Sequence, residues 1–273
     1  MNKVVFITFA DSKYKQSLAR LKAQVSESNY ITDKYLFTEK DLDKNFKKNF
    51  HPCLYRRGYG YWKWKSYLVK KVFDTLNNGD IIIYADAGCV FNIKADEKLL
   101  YYINRVKNSN SGLLVFAQNY IEKDWTKADC FNYFGVLNDK TITETPQNWA
   151  GSFLICKNNI STKIIDEWAN VSLNHYDLIT DKRSLIKNSD SFIEHRHDQS
   201  VLSVLAKIYK AETMPSSEIE KSNYDNIPIQ PARLKQQSTI SNLIHKLMKP
   251  YRLCIGLYLV YFEGFYFKYR KSW

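Results

Sequence analysis

The stretch Asp80-Ile81-Ile82-Ile83-Tyr84-Ala85-Asp86-Ala87-Gly88-Cys89-Val90-Phe91-Asn92 decides how the rest of the chain is read. It follows a turn signal, Asn77-Asn78-Gly79-Asp80, and its three isoleucines predict a short, fully buried strand. A carboxylate, Asp86, stands where that strand must end, followed by the small residues Ala87 and Gly88. A charge at the tip of a buried strand is costly unless something pairs with it. In an open α/β sheet that tip is also where ligands bind. Asp86 is therefore either a ligand for a divalent cation, with Ala87 and Gly88 letting a phosphate approach the backbone, or a cap of the next turn. The residues alone leave the two readings even.

Tyr84-Ala85-Asp86-Ala87-Gly88 after a β-branched strand resembles the DxD region of nucleotide-sugar-dependent glycosyltransferases of the GT-A fold. Gly88 takes the place of the second Asp, so one metal ligand of the usual pair is missing. The resemblance implies Mn²⁺ or Mg²⁺ at Asp86, and a nucleotide-sugar, UDP above all, beside Tyr84, Ala87 and Gly88. Upstream lies Arg56-Arg57-Gly58-Tyr59-Gly60-Tyr61-Trp62-Lys63-Trp64-Lys65, expected to open a helix running to about Leu76. Its glycines permit turns, and Arg57, Lys63 and Lys65 suit a pyrophosphate. The same mixture would also stack on single-stranded nucleic acid, or be core aromatics with snorkelling lysines. Certain bacterial glycan-assembly transferases carry a similar Gly-Tyr-Gly-Tyr-Trp-x-Trp-Lys segment before an Asp-Ala-Gly strand. That likeness covers about Arg57 to Asn92; the phosphate reading is favoured because the helix leads straight into the Asp86 strand.

The whole chain, 273 residues, is long enough for a sizeable core, and 45% hydrophobic with 25% charged residues is a globular balance. An α/β catalytic domain over residues 1–232 with a tail over 233–273 is the economical division. Net charge is +12, which suits a polyanionic partner such as nucleic acid, anionic lipid or a nucleoside diphosphate. From Arg233 onward eight Lys or Arg face one acid, Glu263, so the tail carries most of the excess. Its cations alternate with apolar residues, and Phe262, Phe265, Tyr266 and Phe267 follow Pro250. This pattern predicts helical segments that dock on an anionic membrane surface; the alternative is a helix packed on the core. Five widely spaced cysteines without a CxxC pair fit a reducing cytosol, and neither a signal peptide nor a spanning segment is expected. Together these place the protein in the cytoplasm, peripheral on the inner face of the membrane.

Val4 to Phe9 predicts the first buried strand. In a GT-A fold the loop after it receives base and ribose, which would enlist Thr8, Ala10 and Asp11; Asp11 also reads as a plain helix cap. A helix carrying Leu18, Leu21 and Val25 follows, then a strand at Tyr35-Leu36-Phe37, a helix from Leu99 to Val106 and a strand from Leu113 to Ala117. Glu122 to Asp129 reads as a charged surface helix start, or as an acceptor site in which Trp125 offers a face to a sugar ring. In Asn148-Trp149-Ala150-Gly151-Ser152 a small pair introduces a strand, so something approaches the backbone there. Retaining enzymes of the glycogenin and lipopolysaccharide galactosyltransferase type have a similar Asn-Ala-Gly lining the sugar pocket, with Trp149 here in place of the Asn. A helix carries Ile164 to Trp168, and Tyr176 to Ser191 reads as a loop.

Glu194-His195-Arg196-His197-Asp198-Gln199-Ser200 then opens a helix, and Asp198 can cap it or do chemistry. The same retaining enzymes carry Asp-Gln at this point. The resemblance thus implies a GT-A-like, Rossmann-type mixed sheet flanked by helices, with Asp198 and Gln199 catalytic and Ala150 and Gly151 orienting the sugar. His195 or His197 would complete the metal shell that Gly88 leaves short. The activity implied is sugar transfer to a glycan or lipid-linked glycan in bacterial surface-polysaccharide assembly, with retention of configuration slightly favoured. Two rivals remain: a basic nucleic-acid-binding protein, without an RRM, KH or helix-turn-helix signature, and a GT-A scaffold without activity.

Overall fold

A computed structural model describes residues 2–48, 50, 52 and 57–232. The basic, aromatic tail from residue 233 onward, its proposed membrane docking and Arg56 lie outside the described residues. Among the described residues eight strands form: β1 (Val4–Ala10), β2 (Asp33–Thr38), β3 (Ile81–Ala85), β4 (Val90–Phe91), β5 (Leu113–Ile121), β6 (Pro146–Cys156), β7 (Glu212–Met214) and β8 (Ile229–Gln230). The longer helices are α1 (Lys15–Val25), α2 (Lys63–Phe73), α3 (Asp96–Asn108), α4 (Asn159–Asn174) and α5 (Asp198–Ile208).

Six strands make one sheet in the order β2-β1-β3-β6-β5-β7. Only β6 runs against the others, antiparallel to both β3 and β5, while β1 is parallel to β2 and β3, and β5 to β7. This is the mixed, mostly parallel sheet expected from the sequence. The apolar runs of β1 and β3 have their reason in the two cores. Val5, Ile7, Ile82 and Tyr84 face one core with Val69, Ile164, Trp168 and Leu202 from α2, α4 and α5. Val4, Phe6, Ile81 and Ile83 face the other with Leu21, Leu99 and Ile103 from α1 and α3. A strand covered on both faces has no position left for polar side chains until its end.

Two local expectations change. The Gly-Tyr-Gly-Tyr-Trp run is not the first turn of α2 but a left-handed turn of its own: Gly58, Tyr59, Gly60, Tyr61 and Trp62 all have φ between 51° and 86°. The Trp62 ring covers Gly58 and the Phe50 ring covers Gly60, so closely that a Cβ at either glycine would lie 2.2 and 2.3 Å from ring carbons. Left-handed backbone costs roughly 1–2 kcal/mol for each of the three aromatic residues, which the surrounding packing must offset. Glu122, expected in a surface segment, is fully buried. It needs a cation there, and Lys207 of α5 supplies one at 2.7 Å.

Candidate functional site

The polar ends of buried strands converge. Ile7 lies opposite Tyr84 in the β1–β3 ladder, so Thr8 to Ala10 end beside Ala85 and Asp86. The Asp86 amide donates to the Gly151 carbonyl at 2.8 Å, which ties the tip of β3 to β6. One ammonium joins these segments to α5. Lys65 Nζ lies 3.3 Å from Asp86 Oδ1 and 2.9 Å from Asp198 Oδ2, and donates to the Ala150 carbonyl at 3.1 Å. The Tyr84 hydroxyl donates to the same Asp86 Oδ1 at 2.7 Å.

Burial separates the members. Side-chain exposure is 3% for Lys65 and 5% for Asp198, but 37% for Asp86. Burial pushes the Asp198 carboxyl up to about 6; Lys65 pulls it down and Asp86 pushes it further up. Burial alone would lower Lys65, yet Asp198 and Asp86 outweigh it and leave the ammonium raised. At neutral pH the cluster is thus one cation facing two anions, with the surplus negative charge on the exposed member. Neighbouring Gln199 links the helix start to the sheet. Its Oε1 accepts from the Ala150 amide at 3.4 Å, and its Nε2 donates to Gln118 Oε1 at 2.8 Å and Gln147 Oε1 at 2.7 Å. Gln118 and Gln147 carry no local motif, and only strand pairing brings them here.

The other candidates take varied places. What approaches Gly151 is Trp149, whose indole would lie 2.2 Å from a Cβ at that position. The Asp11 side chain caps a short 3₁₀ turn, accepting from Lys13 N at 3.0 Å. Lys63 is two residues from Lys65 and so faces another side of α2, against the rings of Tyr176 and Phe46. Arg57 pairs with Asp181 at 3.3 Å and Glu194 at 3.1 Å, anchoring the segment before α5.

His195 accepts from Lys127 N at 3.2 Å through Nδ1 and donates from Nε2 to the Leu178 carbonyl at 2.7 Å. Both its nitrogens are thereby occupied. His197, at φ 57°, donates from Nδ1 to the Ile179 carbonyl at 2.9 Å and stacks on Trp62. Burial, with the Arg57 cation second, lowers it to about 4, so it is neutral. A cation without a motif is Arg20 of α1, whose Nη2 donates to the Cys89 carbonyl at 2.8 Å and to that of Ala87 at 3.4 Å. It fixes the turn that follows Asp86.

This donor set fits a resident ammonium better than a divalent cation. Asp86 is the one member open to solvent, and one of its oxygens already serves Tyr84 and Lys65. Among the described residues no group of three or more His, Cys, Asp or Glu side chains is placed to hold a metal ion.

Beyond this chain, no family model matches the sequence, and no curated protein matches it. Among solved structures it is similar to a glycosyltransferase involved in the glycosylation of the major capsid of PBCV-1, at 9% identity and TM-score 0.43 over 84% of this chain and 93% of that one. It is similar to mouse xyloside xylosyltransferase 1 at 10% identity and TM-score 0.43, over 84% and 97% of the two chains. For the galactosyltransferase LgtC with donor and acceptor sugar analogs the values are 13% and 0.42, over 84% and 86%. At this distance the activity rests on the site itself.

Proposed function

We propose that this chain is a GT-A-type glycosyltransferase of the hexosyltransferase kind. It moves a sugar from a nucleotide-sugar, with UDP as the preferred carrier, to a glycan or lipid-linked glycan acceptor in bacterial surface-polysaccharide or lipooligosaccharide assembly. One observation carries the reading. Asp86, Ala150-Gly151 and Asp198-Gln199 meet around the Lys65 ammonium and the Gln199 amide, although they come from three distant parts of the sequence. Those are the stretches whose types and order resemble the retaining enzymes. A diphosphate leaving group needs preorganised charge around it, and Lys65 offsets one of the two carboxylates that meet here.

In this reading Thr8, Ala10 and Asp11 take base and ribose at the end of β1, and Asp86, with Tyr84, Ala87 and Gly88, borders the diphosphate. Ala150 and Gly151 present the sugar. The bond from the anomeric carbon to the diphosphate oxygen breaks, and its electron pair stays on the diphosphate. The acceptor oxygen bonds the anomeric carbon, and its proton passes to the departing diphosphate. Asp198 is only 3% exposed, which supports a role beneath the reacting centre rather than as a base for the acceptor; this favours retention. Gln199 is the partly exposed member of the pair and reaches substrate. Trp125 and Tyr120, packed at 5.1 Å with Arg196 stacked on Trp125 at 4.1 Å, form a shelf suited to the acceptor sugar.

The test is thermal stabilisation by UDP, GDP, CMP and TDP in turn. A nucleotide at about a hundred times its Kd adds about 2.7 kcal/mol, a visible shift in Tm. One nucleotide is expected to stabilise, and hydrolysis of its sugar conjugate is expected to disappear in Asp86→Ala. Indifference to all four nucleotides, with salt-sensitive binding of RNA or DNA, would replace this reading by a nucleic-acid one. We propose further that residues 233–273 dock the enzyme on the cytoplasmic membrane's inner face. Deleting residues 241–273 should release it from anionic vesicles, and undiminished vesicle binding would refute the docking. Among the described residues no helix is long and apolar enough to cross a membrane.

A further inference from the structure

The Lys65 ammonium faces three oxygens from three segments: it donates to Ala150 O of β6 at 3.1 Å and forms ion pairs with Asp86 Oδ1, just past β3, at 3.3 Å and with Asp198 Oδ2 of α5 at 2.9 Å. Its place is not explained by the helix that carries it. Lys65 lies in the first turn of α2, where the macrodipole disfavours a cation, and no acid of that turn compensates it. Burying an ammonium is costly as well, and partners of good geometry are needed to offset that cost. The position makes sense for a charge that must sit between two carboxylates.

We infer that Lys65 is the built-in cation of this site, standing between Asp86 and Asp198 in the place a divalent metal would take, so that the two carboxylates hold no metal ion. The inference rests on the nucleotide-sugar reading above and deepens it. Three features of the donor set support it. First, Asp198 is enclosed, with 5% of its side chain exposed, so an ion from solvent can reach only Asp86. Second, Asp86 Oδ1 already accepts a hydrogen bond from the Tyr84 hydroxyl and faces Lys65. A divalent ion, which needs oxygens at roughly 2.0–2.6 Å, would have to displace those partners or settle for the remaining oxygen beside a fixed positive charge. Third, the groups that could add ligands lack a side chain or turn a nitrogen to the backbone. Gly88 has no side chain, and His195 gives both nitrogens to the backbone. His197 turns Nδ1 to the Ile179 carbonyl, and its Nε2 is 3.7 Å from Asp181. Arg20 adds a second cation at the Ala87–Cys89 turn, on the side of Asp86 away from α2 in sequence.

The same geometry makes a sharper claim. Without the ammonium, Asp86 and Asp198 lose their shared counter-ion, and their oxygens are of the kind that ligates a hard divalent cation. The full-length protein and Lys65→Met would be titrated with Mn²⁺ alone, free Mn²⁺ being read by electron paramagnetic resonance. UDP affinity would be measured by calorimetry in Mn²⁺ and in EDTA. The native protein is expected to leave Mn²⁺ free at millimolar concentration and to bind UDP equally, within about twofold, in both buffers. Lys65→Met is expected to bind Mn²⁺ at least about tenfold more tightly than the native chain, and adding Asp86→Asn should remove the gain. Should Lys65→Met fail to fold, the native protein's own Mn²⁺ titration and its UDP affinity in Mn²⁺ against EDTA carry the test. Stoichiometric Mn²⁺ binding by the native protein, or UDP binding that falls tenfold or more in EDTA, overturns the inference. If UDP and its relatives bind in neither buffer, the nucleotide-sugar reading fails, while the Mn²⁺ titration still decides whether Lys65 fills the cation's place.

Discussion

Helix α5 carries a buried lysine–carboxylate cluster near each end, and the two are balanced differently. Near the C-terminal end Lys207 faces Glu122 one to one. The ammonium also donates to the Ile142 carbonyl at 3.0 Å, while Glu122 accepts from Thr126 at 2.6 Å, from Gln147 at 2.9 Å and from Ser203. Glu122 is fully buried, and every charge there has its complement. At the N-terminal end Lys65 faces two carboxylates, one of them more than a third exposed. The first cluster is closed and neutral, as a structural pair should be. The second keeps an unbalanced charge at a surface, as a site that acts on a ligand should. Gln147 joins them, donating to Glu122 and accepting from Gln199.

The contrast can be broken most forcefully at the closed end. Lys207→Met leaves Glu122 buried without a cation and is expected to cost about 3–5 kcal/mol in chemical denaturation. A loss below about 1 kcal/mol would mean that this pair is not structural in the sense argued. At the open end Asp198→Asn should leave stability unchanged or slightly raised, since it removes a carboxylate that burial disfavours. Turnover of the nucleotide-sugar should instead fall by roughly 10²–10³-fold. If both variants lose stability alike, the two clusters are not different in kind.

Acidification sharpens the comparison further, because the buried groups titrate with opposite signs. Asp198, raised from 3.8 to about 6, holds its proton more firmly when folded; its stabilising contribution is full below pH 3.8 and is lost as pH rises through 6. His197, lowered from 6.5 to about 4, contributes stability above pH 6.5 that is lost as pH falls through 4. His195, held well below its ordinary value by burial, Lys127 and His197, acts in the same sense as His197. With two histidines against one carboxyl, a net loss of stability is expected as pH falls from 6 to 4. Asp198→Asn should steepen that slope and His197→Gln should flatten it, as measured by denaturation across the range. The smallest effect is expected on the acceptor shelf. Trp125→Ala should raise the acceptor KM by a factor corresponding to about 1 kcal/mol, with nucleotide affinity unchanged.

Much of the sheet was legible from sequence alone. Ile81 to Ile83 and Val4 to Phe9 could only be strands covered on both faces, and Leu18, Leu21 and Val25 could only share one side of a helix. The site was legible in part. Asp86 and Asp198 announce themselves as carboxylates where apolar segments end or begin, because such a charge needs a partner. Which cation answers them was not legible. Lys63 and Lys65 look equivalent in the sequence, but two residues along a helix reverse the direction of a side chain. Glu122 gave no sign of burial, since its partner Lys207 lies far away in the chain. The left-handed turn at Gly58 to Trp62 was hidden for a similar reason: glycines permit such a turn, but only the Phe50 and Trp62 rings packed over them select it.

The layered α/β sheet and the strand tips that carry charge follow from the order of residues alone, because hydrophobic periodicity is local and leaves few alternatives. Tertiary structure alone decided which charges meet, which are closed off and which remain open to a ligand. Charge pairing depends on distance in space and on burial, and neither is written in the spacing of residues along the chain.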